Sequence, residues 1–396
     1  MPFALLALTL SAFAIGTTEF VIVGLVPTIS ADLNVSLPSA GLLVSLYAIG
    51  VAIGAPLLTA LTNTWERKRL LISLMVLFIL GNLIAWQAPS YERLVIARVL
   101  TGLAHGVFFS IGATIAASLV AKESAASAIA IMFTGLTVAL VTGVPLGTWV
   151  GQIFGWRATF LIVAGLGFIA LVGCVLLIPK NLEKAPAARF SEQVKVLAQP
   201  RLLLVFLITI LGYGGTFTAF TYLAPILQQQ AGFSSTAVSL VMLVYGVSVA
   251  VGNIYGGKLA DKKGAVSALT IIFTMLSLVL LALTFTMQSK VGVIITVVLW
   301  GAFAFGNVPG LQVYVVQLAQ QVSPKAVDVA SGFNIAAFNI GIALGSILGG
   351  QIVDSMSLQD TAWVGAVISM MALIATRYSG HLDSKPKDRE FTNANN

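Results

Sequence analysis

Charge is what this sequence is shortest of. Only 9% of its 396 residues are Asp, Glu, Lys or Arg, against about 25% in a typical soluble domain. Histidine occurs twice, at His105 and His381, and cysteine once, at Cys174. Each scarcity excludes something. A single cysteine forms no intrachain disulfide. Two distant histidines and one cysteine offer no metal-ligand spacing, and no phosphate-cradling loop occurs, so no metal, no cofactor and no catalytic constellation are expected. With so few charges, a hydrophobic content of 58% and a mean hydropathy of +0.99 exclude a soluble two-domain protein and a disordered chain alike. What is present is apolar sequence long enough to cross a bilayer many times.

Runs of about 20 apolar residues predict spans. Twelve are found, near 4–28, 38–61, 70–87, 92–119, 126–151, 158–179, 202–228, 236–259, 266–287, 291–318, 328–353 and 360–377. With a cytoplasmic N-terminus, the inner loops and tail carry 17 of the 21 Lys and Arg, including Arg67, Lys68, Arg69, Lys258, Lys262 and Lys263. The outer side carries Arg93, Arg157 and Lys290, and Arg98 lies inside a span. That asymmetry predicts an inner-membrane protein with both ends cytoplasmic. The net charge of +7 therefore reads as a membrane-surface signal, not as nucleic-acid binding. Residues 1–15 lack a basic leader, and their apolar run continues into Phe20–Pro27, so they read as the first span rather than a signal peptide.

The chain also repeats itself. A shift of 198 residues carries Tyr47 and Gly54 onto Tyr245 and Gly252, Gly147 and Gly151 onto Gly345 and Gly349, and Pro27 onto Pro225. The longest polar stretch between spans, 180–201, falls near the midpoint. The expected architecture is an all-α membrane protein of two pseudo-symmetric six-helix bundles. Residues 1–179 form one bundle, 180–201 a cytoplasmic linker, 202–377 the second bundle and 378–396 a polar cytoplasmic tail. Such a pairing suits a transporter whose solute binds between the halves near the midplane.

Four motifs sharpen this. The turn after span 8 reads Gly257-Lys258-Leu259-Ala260-Asp261-Lys262-Lys263-Gly264. Its glycines permit close helix approach and its bases face the anionic inner leaflet. An ordinary basic turn is the other reading. Span 5 holds Gly143-Val144-Pro145-Leu146-Gly147, where proline bends a helix and small residues admit a neighbour; plain helix packing is the alternative. Span 4 holds Arg98-Val99-Leu100-Thr101-Gly102, and Gly155-Trp156-Arg157 precedes span 6.

Together these resemble the major facilitator superfamily: its loop signature at Gly257, Asp261 and Gly264, its antiporter signature at Gly143, Pro145 and Gly147, and its span-4 arginine at Arg98. The first-half loop departs from the signature, with Thr59 for the first glycine and Asn63 for the aspartate. Glu19 within Thr17-Thr18-Glu19-Phe20, and His105 before Gly106, look like the arabinose-efflux-type branch of its drug/proton antiporters. The resemblance implies the superfamily's fold, proton coupling through Arg98, and export of a sugar, nucleoside or amphipathic drug.

Ionisable groups at membrane depth are the most informative residues in their own right. Glu19 lies eight residues before Pro27, about 12 Å from the expected outer end of span 1. Arg98 lies about 9 Å into span 4, and His105 follows it by two turns on the same face. A lone carboxylate in lipid costs several kcal/mol, so Glu19 is expected to face a cavity or a partner. Either it carries the coupling proton or it forms a structural ion pair with Arg98. His105 reads equally as a proton relay, a substrate contact or an imidazole bonded between helices. At the 198-residue shift, Glu19 and Arg98 correspond to Phe217 and Thr296, so proton chemistry is expected in the first bundle alone. The second offers Tyr213, Phe217, Phe220, Tyr222, Trp300, Phe303, Asn307, Gln312 and Tyr314, with Asn334, Phe338 and Asn339 in span 11. As a set they would line a cavity for a neutral or cationic amphipathic solute; one by one they read as helix packing.

The expected function is therefore a proton-driven antiporter, with an uptake symporter or a uniporter of the same fold as the alternative. Its expected partners are a small-molecule substrate, protons and membrane lipid, and it is expected to act as a monomer. The orientation is open to direct test. A reporter fused after Asn396 or inserted near Ala187 should be cytoplasmic, and one near Gly232 periplasmic, because that loop has no Lys or Arg. A periplasmic C-terminus would overturn the assignment.

Overall fold

The computed structural model describes residues 3–58, 61–62, 64–121, 124–180, 182, 196–322 and 327–383. The loop positions Thr59 and Asn63, most of the linker and the polar tail lie outside the described residues. The described chain is helical throughout, as a bilayer requires of a backbone that must satisfy its own N–H and C=O groups. Twelve helices are long and apolar enough to span: α1 (Phe3–Leu33), α2 (Leu37–Leu58), α3 (Arg67–Trp86), α4 (Tyr91–Ser118), α5 (Ala128–Phe154), α6 (Trp156–Leu177), α7 (Pro200–Gln230), α8 (Ser235–Lys263), α9 (Ala265–Thr286), α10 (Lys290–Gln321), α11 (Val329–Ser355) and α12 (Asp360–Asp383). An even number of spans puts both chain ends on one face, called here the terminal face.

Prolines shape these helices without ending them. α1 passes through Pro27 and stops only at Asn34, whose φ of +52° is left-handed. The first helix is therefore longer than its apolar run near 4–28 suggested. Wide π turns occur at Gly54–Leu58, which contains Pro56, at Ala139–Gly143 just before Pro145, and at Ile226–Gln230 just after Pro225. The first two fall where a proline N–H is missing from the ladder, which the wider turn accommodates, and the third begins just after Pro225. α10 breaks between Ala304 and Asn307, where Asn307 Nδ2 donates to the Ala304 carbonyl over 3.0 Å.

Close packing follows the repeat. On α5, a Cβ added at Gly143 would strike Thr17, one at Gly147 would lie 2.7 Å from Val21, and one at Gly151 would meet Leu25, all on α1. The same shift carries these glycines onto Gly341, Gly345 and Gly349 of α11, which lie against Ile210, Gly214 and Thr218 of α7. Small residues thus let α11 meet the backbone of α7, and let side chains of α1 seat against the backbone of α5. Between the bundles, α2 runs along α11 and α5 along α8. Ser45 Oγ donates to the Ala343 carbonyl across the first seam (3.1 Å), and Ser239 Oγ to Gln152 Oε1 across the second (3.0 Å). Away from the terminal face, α1 meets α7 around Leu223–Pro225.

Charged clasps tie helix ends within each bundle. Asp32 accepts from Arg157 (2.5 Å) and from the Trp156 indole (3.0 Å), while Arg157 also donates to the Ala88 carbonyl. Lys68 Nζ donates to the Val175 and Ile178 carbonyls (2.7 and 2.5 Å), occupying the C-terminal end of α6. In the second bundle Arg201 pairs with Asp383 (2.5 Å), which also accepts from Tyr314 (2.7 Å). Tyr314 is thereby committed at the terminal face. The α8–α9 turn closes on Gly264 (φ +79°), whose N–H donates to the Ala260 carbonyl. Gly257 faces Pro309 of α10, and Asp261 is exposed.

The glycine contacts make a prediction. Gly345→Val should sharply reduce the yield of folded protein, because its side chain would enter the Gly214 backbone. Gly165→Val should not, because nothing lies within 4 Å of that position. Size-exclusion profiles of the two detergent-extracted variants give the comparison.

Candidate functional site

Glu19 lies in the middle of α1, fourteen residues or about 21 Å from Leu33, deeper than the 12 Å expected when the helix was taken to end near residue 28. It is 8% exposed, and Arg98 and His105 of α4 are 1% and 5% exposed. The sequence placed these three on two helices; the structure brings them together. Tyr47 of α2 completes the group. Its hydroxyl is 2.9 Å from His105 Nδ1, with the donor set by the imidazole tautomer. The same Nδ1 lies 3.8 Å from Glu19 Oε2.

Arg98 does not spend its charge on the Glu19 carboxylate. Nε donates to the Leu43 carbonyl (3.2 Å), Nη1 to Thr18 (2.7 Å) and Nη2 to the backbone oxygen of Glu19 (3.3 Å). Its guanidinium also sits 4.1 Å from the Tyr47 ring centroid. One side chain of α4 therefore holds α1 and α2 by their backbones, a fork geometry that suits arginine. Among the described residues, the only ion-pair partner of Glu19 within 4 Å is His105. Thr18 next to it donates to Asn82 Oδ1 of α3 (2.5 Å), and Asn82 Nδ2 donates to Phe78. Sequence reasoning passed over Asn82 and Thr18; the signal was an amide twelve residues into the third apolar run. Tyr47 was noticed only as a marker of the repeat.

Facing this group is an aromatic cluster from the second bundle. Phe20, beside Glu19, lies 6.4 Å from Phe217 and 6.1 Å from Phe305. Tyr213 stacks on Phe217 (5.9 Å) and meets Phe338 edge-on (4.6 Å). Phe220 stacks on Tyr245 (4.9 Å), and both meet Trp300. Phe20, Phe305 and Tyr245 belong to the cluster although the sequence did not single them out as site residues. Trp300 Nε1, Tyr245 Oη, Asn307 Oδ1 and Asn339 Oδ1 are buried with no hydrogen-bond partner among the described residues.

Other expected lining residues go elsewhere. Thr209 donates to Asn334 Oδ1 (2.7 Å), Asn334 Nδ2 donates to Gln312 Oε1 (2.9 Å), and Gln312 donates to Ser331. These amides join α7, α11 and α10 in a closed chain. Phe303 is half-buried and contributes no ring contact to the cluster. Tyr222 lies against Gly41 of α2 and Gly350 of α11, on the seam between bundles. Among the described residues no group of His, Cys, Asp and Glu has a geometry for a metal.

Comparison with known proteins bears on this arrangement. The family model of the Major Facilitator Superfamily matches residues 8–322. The chain is 51% identical to the MFS-type transporter YtbD of Bacillus subtilis (strain 168), over 97% of both chains. It is 41% identical to the inner membrane transport protein YdhP of Escherichia coli (strain K12), over 94% of both. Its fold matches the crystal structure of a bacterial homologue of the human lysosomal transporter Spinster, in an inward-facing and unoccupied conformation. That match has a TM-score of 0.75 at 16% identity and covers 97% of this chain and 98% of the other.

The Arg98 contacts predict a stability effect. Arg98→Lys replaces a five-donor fork by a point charge that cannot serve three separated carbonyls. Each lost charge-assisted bond is worth about 1.5–3 kcal/mol, so the variant should melt several degrees lower in detergent, and Arg98→Ala lower still. An unchanged melting temperature for Arg98→Lys would show that the carbonyl contacts contribute nothing.

Proposed function

Because the chain belongs to the major facilitator superfamily, and is thus an integral membrane transporter of small molecules and not an enzyme, we propose that it is a proton-driven antiporter. In this reading it sits in the bacterial inner membrane as a monomer with both ends cytoplasmic. It exports a small amphipathic organic solute of the drug, sugar or nucleoside class by alternating access.

The observation that carries the reading is the Glu19 carboxyl: buried in the middle of α1, 3.8 Å from His105 and without a direct ion pair to Arg98, which is bonded to backbone oxygens beside it. An ionised carboxylate in such a place is costly unless a counter-charge or water reaches it. Taking up a proton removes the cost. Glu19 is therefore expected to be protonated when the bundles close around it, and to release its proton where the cavity opens to a more alkaline compartment. His105 and Tyr47 extend the path: the 2.9 Å contact between them and the neighbouring carboxyl form a short relay that small side-chain movements would complete. Arg98 acts here as a fixed positive potential anchored to backbone, not as a swinging counter-ion.

The aromatic cluster supplies the other half. Its rings offer apolar faces and quadrupoles to a flat or cationic solute, and Phe20 places them next to Glu19. A solute that enters between Phe20 and Phe217 would alter the surroundings of the carboxyl. Proton and solute would then bind in competition, which is the thermodynamic requirement for exchange.

The test is transport by purified protein in proteoliposomes under an imposed pH gradient, with a panel of nucleosides, pentoses and amphipathic drugs. Glu19→Gln, which fixes the neutral state, should abolish uphill solute movement and solute-dependent proton flux while solute binding survives. Uphill pumping by Glu19→Gln at the wild-type rate would make the carboxyl structural. Asp261→Asn should slow turnover without weakening binding, as expected for a turn that moves with the bundles.

A further inference from the structure

Tyr222 is wholly buried, and its Oη has no hydrogen-bond partner among the described residues. The ring belongs to α7 but is lodged in a notch built from both bundles. A Cβ added at Gly41 of α2 would fall on the hydroxyl oxygen and 2.8 Å from Cζ. One at Gly350 of α11 would lie 2.9 Å from the same oxygen, and one at Gly349 2.9 Å from Cε2. Pro38, at the start of α2, closes the notch beside Gly350. The notch lies on the α2–α11 seam, toward the end where α1 meets α7 and away from the terminal face. The repeat offers no counterpart. The matching position is Gly24, which receives Thr148 of its own bundle.

Two opposing effects meet at this side chain. Withdrawing the ring from water favours a closed seam. Withdrawing the hydroxyl without giving it a partner disfavours it. When the bundles part, water reaches the oxygen and the penalty is lifted. We propose that Tyr222 is a weighted latch on this face of the transporter: its ring closes the seam between bundles, and its unpartnered hydroxyl keeps the closed state shallow enough to reopen. The proposal rests on the transport reading only in requiring that the bundles separate. It is independent of proton coupling, so a failure of the Glu19 experiment leaves it standing.

The experiment is a pulsed electron-paramagnetic-resonance distance measurement on the full chain in nanodiscs. Spin labels go on Ala31→Cys and Thr236→Cys, exposed positions of α1 and α8 on this face, with Cys174, the one native cysteine, changed to Ala. Tyr222→Phe keeps the ring and removes the hydroxyl, so the ratio of closed to open populations should rise on the order of tenfold. Gly41→Ala should shift the ratio the other way by displacing the ring. Adding Tyr222→Ala to Gly41→Ala should restore the distribution of Tyr222→Ala alone, which separates a local clash from misfolding; Gly350→Ala serves as the same test from the other wall. Unchanged populations in Tyr222→Phe, a shift toward the open state, or glycine variants that move nothing would each overturn the proposal.

Discussion

A guanidinium buried among apolar helices must find acceptors or remain outside, and Arg98 finds three carbonyls on two neighbouring helices. Much of the first bundle is arranged by that requirement. α4 must lie within reach of both α1 and α2, and Gly102 allows it by letting the Tyr47 carbonyl approach. Tyr47 then lies under the guanidinium and against His105. The carboxyl of Glu19 is brought to the same place without a direct ion pair to that cation, which was one of the two roles its sequence position left open. Held by backbone oxygens on two helices, the guanidinium is fixed in place.

The two halves share a scaffold and divide the chemistry. Glycines related by the repeat face α1 from α5 and α7 from α11, receiving side chains in the first pair and backbone in the second. At the equivalent depth the contents differ. Tyr47 joins a group that can carry charge, whereas Tyr245 stacks on Phe220 and Trp300. Keeping the packing while exchanging the contents gives one bundle a buried group of ionisable side chains and the other a cluster of rings, with Phe20 between them.

Twelve spans, two halves and the position of the duplicated glycines were legible because hydrophobic length and a constant offset are properties of order along the chain. So was the sharing of one α4 face by Arg98 and His105. The partner of Arg98 was not legible. Acid and base at similar depth suggest an ion pair, and sequence gives no weight to backbone carbonyls, which every residue carries. Gln312 and Asn334 were misleading for a related reason: an amide in an apolar helix reads the same whether it faces a cavity or, as here, another amide. Pro27 hid the true length of α1, since proline marks a helix end in water but not where neighbouring helices support the chain. Thr59 and Asn63 lie outside the described residues, so their departure from the superfamily signature has no structural counterpart here.

The π turn at Gly54–Leu58 has one more consequence. Its counterpart by the 198-residue shift lies within α8, which is regular from Ser235 to Lys263. A π turn accommodates one extra residue, and one residue is about 100° of helix rotation. Up to Gly54, residues paired by number occupy matching faces of the two bundles; beyond it the phase slips. Homology by position and homology by direction part company at that point. The turn after α2 therefore starts from a helix end rotated relative to its counterpart on α8, so the same loop sequence would meet different neighbours at the two places.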